Sequence, residues 1–103
     1  MRDVYSAVAD PTRRQLLRLL ADADELPLHE ITARFPVGRT AISKHLAVLK
    51  EAGLVMDRKL GRETRYRLNA GPLREIEEWV SFYEGFWTER INHLKSLLED
   101  ENA

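Results

Sequence analysis

The side chains best suited to contacting a polyanion are concentrated in one segment, residues 38 to 53. At about 100° per residue, a helix over this segment has one apolar side and one polar side. The apolar side is Ile42, Leu46, Leu49 and Gly53. The polar side and its two flanks carry Arg39, Thr40, Ser43, Lys44 and His45. Because hydroxyl, ammonium and guanidinium groups donate to base edges and phosphate oxygens, this helix is a candidate reader of double-stranded DNA.

A basic hairpin is predicted directly after this helix. Residues 54–60 and 63–68 are two extended runs joined by Gly61 and Arg62, where glycine supplies the positive φ of a two-residue turn. Among its cationic side chains, Arg58, Lys59, Arg62 and Arg65 are the candidates for DNA contact. They would bring the hairpin to a minor groove or to the phosphates beside it. The alternative is a charged surface hairpin without a ligand.

Two residues of the helix have more than one interpretation. Arg39 is the first choice for direct base readout, since a guanidinium matches the guanine edge bidentately. A phosphate contact, or a merely solvated side chain, is the alternative, because most protein–DNA hydrogen bonds go to the backbone. His45 lies on a flank of the helix, where it could either pack or bind a phosphate.

The charge distribution favours a nucleic-acid partner although the net charge is only −1. Residues 34 to 67 hold nine basic and three acidic side chains, a local charge of +6, and the rest of the chain carries −7. Such a chain can present a local positive surface to phosphate.

The elements before the basic helix predict a helix-turn-helix. Asp10 and Pro11 form a helix start, and residues 28–35 form a short helix with Leu28, Ile31 and Phe35 on one face. The turn Pro-Val-Gly at 36–38 leads into the basic helix. The predicted fold is mainly α, a winged helix-turn-helix of four helices, two strands and a long fifth helix, in one domain over residues 1–103.

The last helix is predicted over about 72–98, and its apolar stripe is too long for its own core. Some 27 residues span roughly 40 Å, more than the width of so small a domain. A second copy of the chain is the simplest cover. The predicted interface comprises Val4, Tyr5, Val8, Tyr83, Trp87, Ile91, Leu94 and Leu98. A protein-interaction module without DNA binding is the alternative from another class.

Several classes are excluded or disfavoured. The chain has no cysteine, which excludes thiolate catalysis, disulfides and cysteine metal sites. No catalytic constellation or glycine-rich phosphate loop is present, so no enzyme and no cofactor is predicted. No signal core or bilayer-length apolar run occurs, which predicts a cytoplasmic protein.

The order of elements and several local sequences resemble the ArsR family of bacterial winged-helix repressors over essentially the whole chain. The resemblance is carried by Ala-Asp-Pro-Thr-Arg-Arg at 9–14, Ala-Ile-Ser-Lys-His-Leu at 41–46, Leu-Lys-Glu-Ala-Gly-Leu-Val at 49–55, Gly-Arg at 61–62 and Tyr-Arg-Leu at 66–68. It implies a homodimer formed by the first and last helices, which occupies an inverted-repeat operator and represses transcription, in some cases of its own gene.

The chain departs from the metal-sensing members that it resembles. It has Leu28-His29-Glu30 where the metal-responsive branch carries Cys-x-Cys, and His93 lacks the usual partner three residues on. The resemblance is therefore to the metal-independent branch. A metal-responsive repressor is the alternative, with Glu89 and His93 one helical turn apart as two of four ligands. Pro27 also stands where a Ser or Thr often caps the third helix.

Overall fold

The computed structural model describes residues 3–101, with side chains through residue 99. Within this range the helices are α1 (Val4–Ala7), α2 (Pro11–Ala21), α3 (Leu28–Thr32), α4 (Arg39–Glu51), α5 (Leu73–Ser81) and α6 (Glu84–Glu101). The strands are β1 (Leu26–Pro27), β2 (Val55–Leu60) and β3 (Glu63–Leu68). The mainly helical fold with a β-hairpin wing is confirmed.

The start of α2 is fixed by the predicted cap. A carboxylate oxygen of Asp10 accepts a 3.0 Å hydrogen bond from the backbone amide of Arg13, and Pro11 occupies the first turn, where it costs no helical hydrogen bond. This bond from the Arg13 amide is the main reason that the pKa of Asp10 lies below its usual value. The ionised carboxylate thus holds the helix start.

The core lies where the first four helices meet the sheet. The fully buried large side chains are Leu16, Leu20, Ile31, Ile42, Leu46, Leu49, Leu54 and Val55. Every one of them is aliphatic, and each contributes about 1.5–3 kcal/mol by leaving water. Because α4 supplies three of these side chains, its apolar face is anchored and its opposite face is left to the solvent.

The sheet has three strands, in the order β1-β3-β2, and the first was not predicted. β1 pairs antiparallel with β3 through Leu26 opposite Tyr66 and Pro27 opposite Arg65. Two residues are too few to show an alternating pattern, and Pro27 argues against a strand except at a sheet edge, which is where it lies. Pro27 makes no side-chain cap to α3, as the sequence predicts.

The single helix predicted over 72–98 is corrected to two helices. The amide of Tyr83 donates to the carbonyl of Val80, three residues back, at 2.9 Å, and this tighter turn separates α5 from α6. Gly85, a poor helix former, lies in the first turn of α6. The apolar spacing continues across the break and no proline marks it, so the hydrophobic periodicity predicts one helix and not two.

Helix α6 extends away from the rest of the chain. The radius of gyration is 19.3 Å, against about 13 Å for a compact chain of this length. The longest dimension is 69 Å, and every residue from Ser81 to Glu99 is exposed. The apolar stripe of α6 is thus uncovered in a single chain.

The Asp10 cap gives a stability prediction. We expect Asp10→Ala to lower the free energy of unfolding by about 1 kcal/mol, because an amide of the first turn loses its acceptor. Urea denaturation measures the change. Asp24→Ala removes the same charge from an exposed site and serves as the control. Equal losses in the two variants would assign the effect to charge and not to the cap.

Candidate nucleic-acid interface

Helix α4 has the two faces that its sequence predicts. Ile42, Leu46 and Leu49 are buried at 1% exposure or less. Arg39, Thr40 and Lys44 are exposed on the other side, and Ser43 is half-buried. The polar donors therefore stand on a rigid helix whose position is set by its buried side.

A left-handed turn at Gly53 joins α4 to the wing, by which we mean β2, β3 and the turn between them. The amide of Leu54 donates to the carbonyl of Leu49 at 2.9 Å, and the amide of Gly53 donates to that of Lys50 at 3.0 Å. With Gly53 at a φ of +80°, this is a Schellman motif. Leu54 and Leu49, which such a motif brings together, are both buried. The turn fixes the direction in which the chain leaves the helix.

Two side-chain contacts hold the wing against the end of α4. The ammonium of Lys50 lies 3.0 Å from a carboxylate oxygen of Asp57 in β2. The side-chain amide of Asn69, just after β3, donates to the carbonyl of Gly53 at 2.8 Å. The wing is thus tied to the helix at both of its strands.

The tip of the wing is basic and exposed, as predicted. Gly61 has a φ of +66°, and Lys59 and Arg62 are exposed beside it. No carboxylate among the described residues forms an ion pair with either cation. Their charges are available to a ligand.

Arg39 and the wing tip share a cleft of about 230 Å³. It is lined by Pro27, Leu28, His29, Arg39, Arg62, Glu63 and Thr64. The two arginines thus line the same cleft, Arg39 from the start of α4 and Arg62 from the wing.

Three further cations lie in the wing. Arg67 is exposed and a terminal nitrogen of its guanidinium lies 3.6 Å from the sulfur of Met56, whereas Arg58 and Arg65 are paired with carboxylates of the protein. The Nε of Arg58 donates to both carboxylate oxygens of Glu25 at 2.8 and 3.1 Å. Arg65 lies 3.1 Å from Glu63 and 4.0 Å from Glu25. The sequence grouped these arginines with Lys59 and Arg62, but the structure gives them different surroundings.

His45 faces the start of α2. Its Nδ1 lies 3.4 Å from a guanidinium nitrogen of Arg13 and 3.9 Å from a carboxylate oxygen of Asp10, and its side chain is 25% exposed. Of the two interpretations of His45, these contacts favour packing. Arg13 also donates to the carbonyl of Ala7 at 2.7 Å, so the same side chain reaches α1.

The residues predicted for the dimer interface do not all lie on one accessible surface. Val4 is 3% exposed and belongs to the core of the single chain, and Val8 packs against that core. Tyr5 is exposed and meets the ring of Trp79 edge-on at 5.9 Å. The other five predicted residues are exposed: Tyr83 in the turn between α5 and α6, and Trp87, Ile91, Leu94 and Leu98 on α6.

Sequence reasoning missed three residues of this region, namely Glu25, Arg13 and His29. Glu25 stands among Asp and Glu residues after α2, where nothing distinguishes it from a solvated acid. Its role depends on β1, which brings the preceding segment beside β3. Only a prediction of that strand would have placed a carboxylate next to the wing arginines.

Among the described residues, no group of three or more His, Cys, Asp or Glu side chains could hold a metal ion. No helix among them is long and apolar enough to cross a membrane.

An exposed polar helix face, the apolar side of the same helix anchored in the core, and a basic wing beside it define a winged helix-turn-helix DNA-binding protein. Residues 10–57 match the family described as "Bacterial regulatory protein, arsR family". The chain belongs to this family, and its partner is accordingly DNA. It is a transcriptional regulator and not an enzyme.

Individual relatives agree with this assignment along most of the chain. Transcriptional repressor SdpR of Bacillus subtilis is 35% identical over 80 residues, which are 78% of this chain and 88% of that protein. HTH-type transcriptional regulator Rv2034 of Mycobacterium tuberculosis is 35% identical over 97 residues, 94% of this chain and 87% of that protein. A crystal structure of a "Possible transcriptional regulator for arsenical resistance" has a TM-score of 0.71 at 38% identity, covering 93% and 96% of the two chains.

Proposed function

We propose that this protein is a metal-independent, homodimeric repressor that occupies an inverted-repeat operator. The observation that carries the proposal is the exposed donor face of α4 standing next to the exposed wing tip. Arg39, Thr40, Ser43 and Lys44 read the major groove, and Lys59 and Arg62 contact the backbone or the adjacent minor groove. The repressor named among the relatives supports the direction of regulation.

A second copy of the chain is the proposed cover for the α6 stripe. Trp87, Ile91, Leu94 and Leu98 follow one another at intervals of four, three and four residues, the spacing by which helices pack side by side. Each of these side chains is at least half exposed in the single chain. An apolar row of this length is characteristic of an interface, and a two-fold dimer would also match an inverted repeat.

The absence of cysteine supports regulation without a thiolate-bound metal or metalloid. One structural relative is named for arsenical resistance, and soft thiophilic ions are held by cysteine sulfurs. This chain has no such ligand to offer. We therefore propose that its DNA-binding form needs no thiolate-bound metal or metalloid.

Selection from a random duplex pool tests the proposed function directly. Purified protein should enrich one sequence with two-fold symmetry, its half-sites about one helical turn apart, because two α4 helices enter successive major grooves. Sequencing of the retained DNA gives the result. A pool that stays random after repeated rounds would contradict the proposal.

The selected site then separates base readout from phosphate contact. We expect Arg39→Ala to cost about 1–3 kcal/mol on that site and to relax preference at one base position, because a bidentate contact to guanine is lost. Arg62→Ala, on the opposite wall of the cleft, is the matched comparison. It should weaken all sequences alike and reduce the slope of log K against log salt by about one unit. Equal weakening of all sequences by Arg39→Ala would assign Arg39 to phosphate.

The dimer is tested on α6. Trp87→Glu places a charge in the middle of the apolar row and should convert the protein to monomers, which sedimentation at micromolar concentration detects. Ser96→Glu is the control, because at 100° per residue it adds the same charge on the opposite side of α6. A Trp87→Glu protein that sediments as a dimer would show that this row is not the interface.

A further inference from the structure

Glu25 occupies the position, relative to Arg58, that a bound phosphate would take. Beyond the two bonds from Nε, a terminal nitrogen of Arg58 donates to the same carboxylate at 2.9 Å. The carboxylate therefore takes the bidentate edge of the guanidinium, the edge that recognises carboxylate and phosphate alike. The side chain of Glu25 is 17% exposed, against 60% for Arg58. Glu25 is therefore held largely inside the protein, and Arg58 is the partner that faces the solvent.

The pairing of β2 with β3 explains why a carboxylate is needed there. Arg58 and Arg65 are directly opposite in the antiparallel register, so their side chains share one face of the sheet. Like charges in this position repel, and the two would favour a splayed wing if left alone. Glu25 lies within 4.0 Å of both arginines, and Glu63 adds a second carboxylate to Arg65. Glu25, Glu63, Arg58 and Arg65 thus form one cluster, and the charges of Arg58, Arg65 and then Arg67 all lower the pKa of Glu25.

The protonation of the cluster is consistent with this geometry. The hydrogen bonds from Arg58, and after them the charges of the neighbouring arginines, hold the pKa of Glu25 below its usual value despite its burial. Glu25 also raises the pKa of Arg58. Both partners are therefore charged at any pH at which the protein would meet DNA.

We propose that Glu25 is an internal substitute for a DNA phosphate. It keeps Arg58, and to a lesser extent Arg65, from contacting the phosphates of the DNA backbone. This inference rests on the proposed function, since it concerns the same DNA surface. It divides the four wing cations predicted to contact DNA into two that are available, Lys59 and Arg62, and two that are restrained, Arg58 and Arg65.

The restraint acts on sequence-independent affinity. Each phosphate neutralised by a lysine or arginine releases counterions and makes the slope of log K against log salt steeper by about 0.9. An arginine already paired with a carboxylate neutralises less phosphate charge, so fewer of the cations condensed on the DNA are released. Holding two arginines back thus lowers binding to the large excess of non-cognate DNA, against which a regulator has to find its operator.

The test compares Glu25→Gln with the wild type on a duplex of random sequence, so that no operator has to be known. Glutamine keeps the size of the side chain and one carbonyl acceptor but removes the charge. We expect tighter binding at low salt, a difference that shrinks as salt rises, and a slope steeper by about one unit for each arginine released. Fluorescence anisotropy over a salt series measures both quantities.

Glu77→Gln is the matched control for net charge. It also removes one carboxylate, from an exposed position on α5, a helix that packs against α1 and α6. Its effect on the slope should be smaller than that of Glu25→Gln. An equal effect of the two substitutions would attribute the change to overall charge and overturn the proposal.

A second variant identifies the arginine and guards against a folding defect. Arg58→Gln should reduce the slope more in the Glu25→Gln background than in the wild type, because only there is the guanidinium released. Circular dichroism and thermal unfolding establish that each variant is folded.

Weaker binding by a folded Glu25→Gln protein would instead make Glu25 a support for a DNA-contacting wing, and the proposal would be wrong. If the wild type itself binds no duplex, the proposed function fails; if it binds and Glu25→Gln does not alter the slope, only the present inference fails.

Discussion

The left-handed turn at Gly53 is the constraint on which the binding surface depends. A side chain at this position would be strained, because its φ of +80° is one that residues with a Cβ rarely adopt. The turn satisfies two carbonyls at the end of α4 and brings Leu54 into the core next to Leu49. From there the chain enters β2 with its direction already set. The helix proposed to enter a groove and the hairpin proposed to contact the neighbouring backbone are thus parts of one rigid unit, held further by the Lys50–Asp57 ion pair.

Which positive charges of that unit are available to DNA depends on the side chains next to them and not on their number. The sequence places a surplus of +6 between residues 34 and 67, but part of it is offset by a carboxylate from outside that segment. Glu25 belongs to the acidic remainder of the chain and reaches the wing because β1 adds an edge strand to β3. A local charge count therefore overstates what DNA encounters. Glu25 is largely buried and Arg58 is exposed, so we place the role of this cluster both in the support of the wing and in the electrostatics of DNA binding.

Much of this architecture could be predicted from the sequence, and the exceptions have physical reasons. The two faces of α4, the Asp10 cap and the Gly61 turn were predicted because each depends on residues close together in the chain. Strand β1 was not, because its two residues have no periodicity and pair with a segment some 40 residues away. The break before α6 was also missed, since it lies in one backbone hydrogen bond and leaves the apolar spacing intact. The roles of Arg58 and His45 depend on these long-range contacts, so no pattern within a helix or strand could assign them.

The small helix α1 connects the two surfaces that the proposed function requires. On one side, the hydroxyl of Tyr5 donates to the carbonyl of Glu75 in α5 at 3.2 Å, and its ring packs against Trp79. On the other side, carbonyls at the end of α1 accept from Arg13, whose guanidinium also approaches His45 on α4. Helix α5, and α6 which follows it, are thus positioned relative to α4 through α1. In a two-fold dimer the distance between the two α4 helices has to match the pitch of DNA, about 34 Å. That distance then depends on contacts such as the one between Tyr5 and Trp79, which lies away from the proposed DNA-binding surface. The geometry of such a contact is therefore part of how an operator would be recognised.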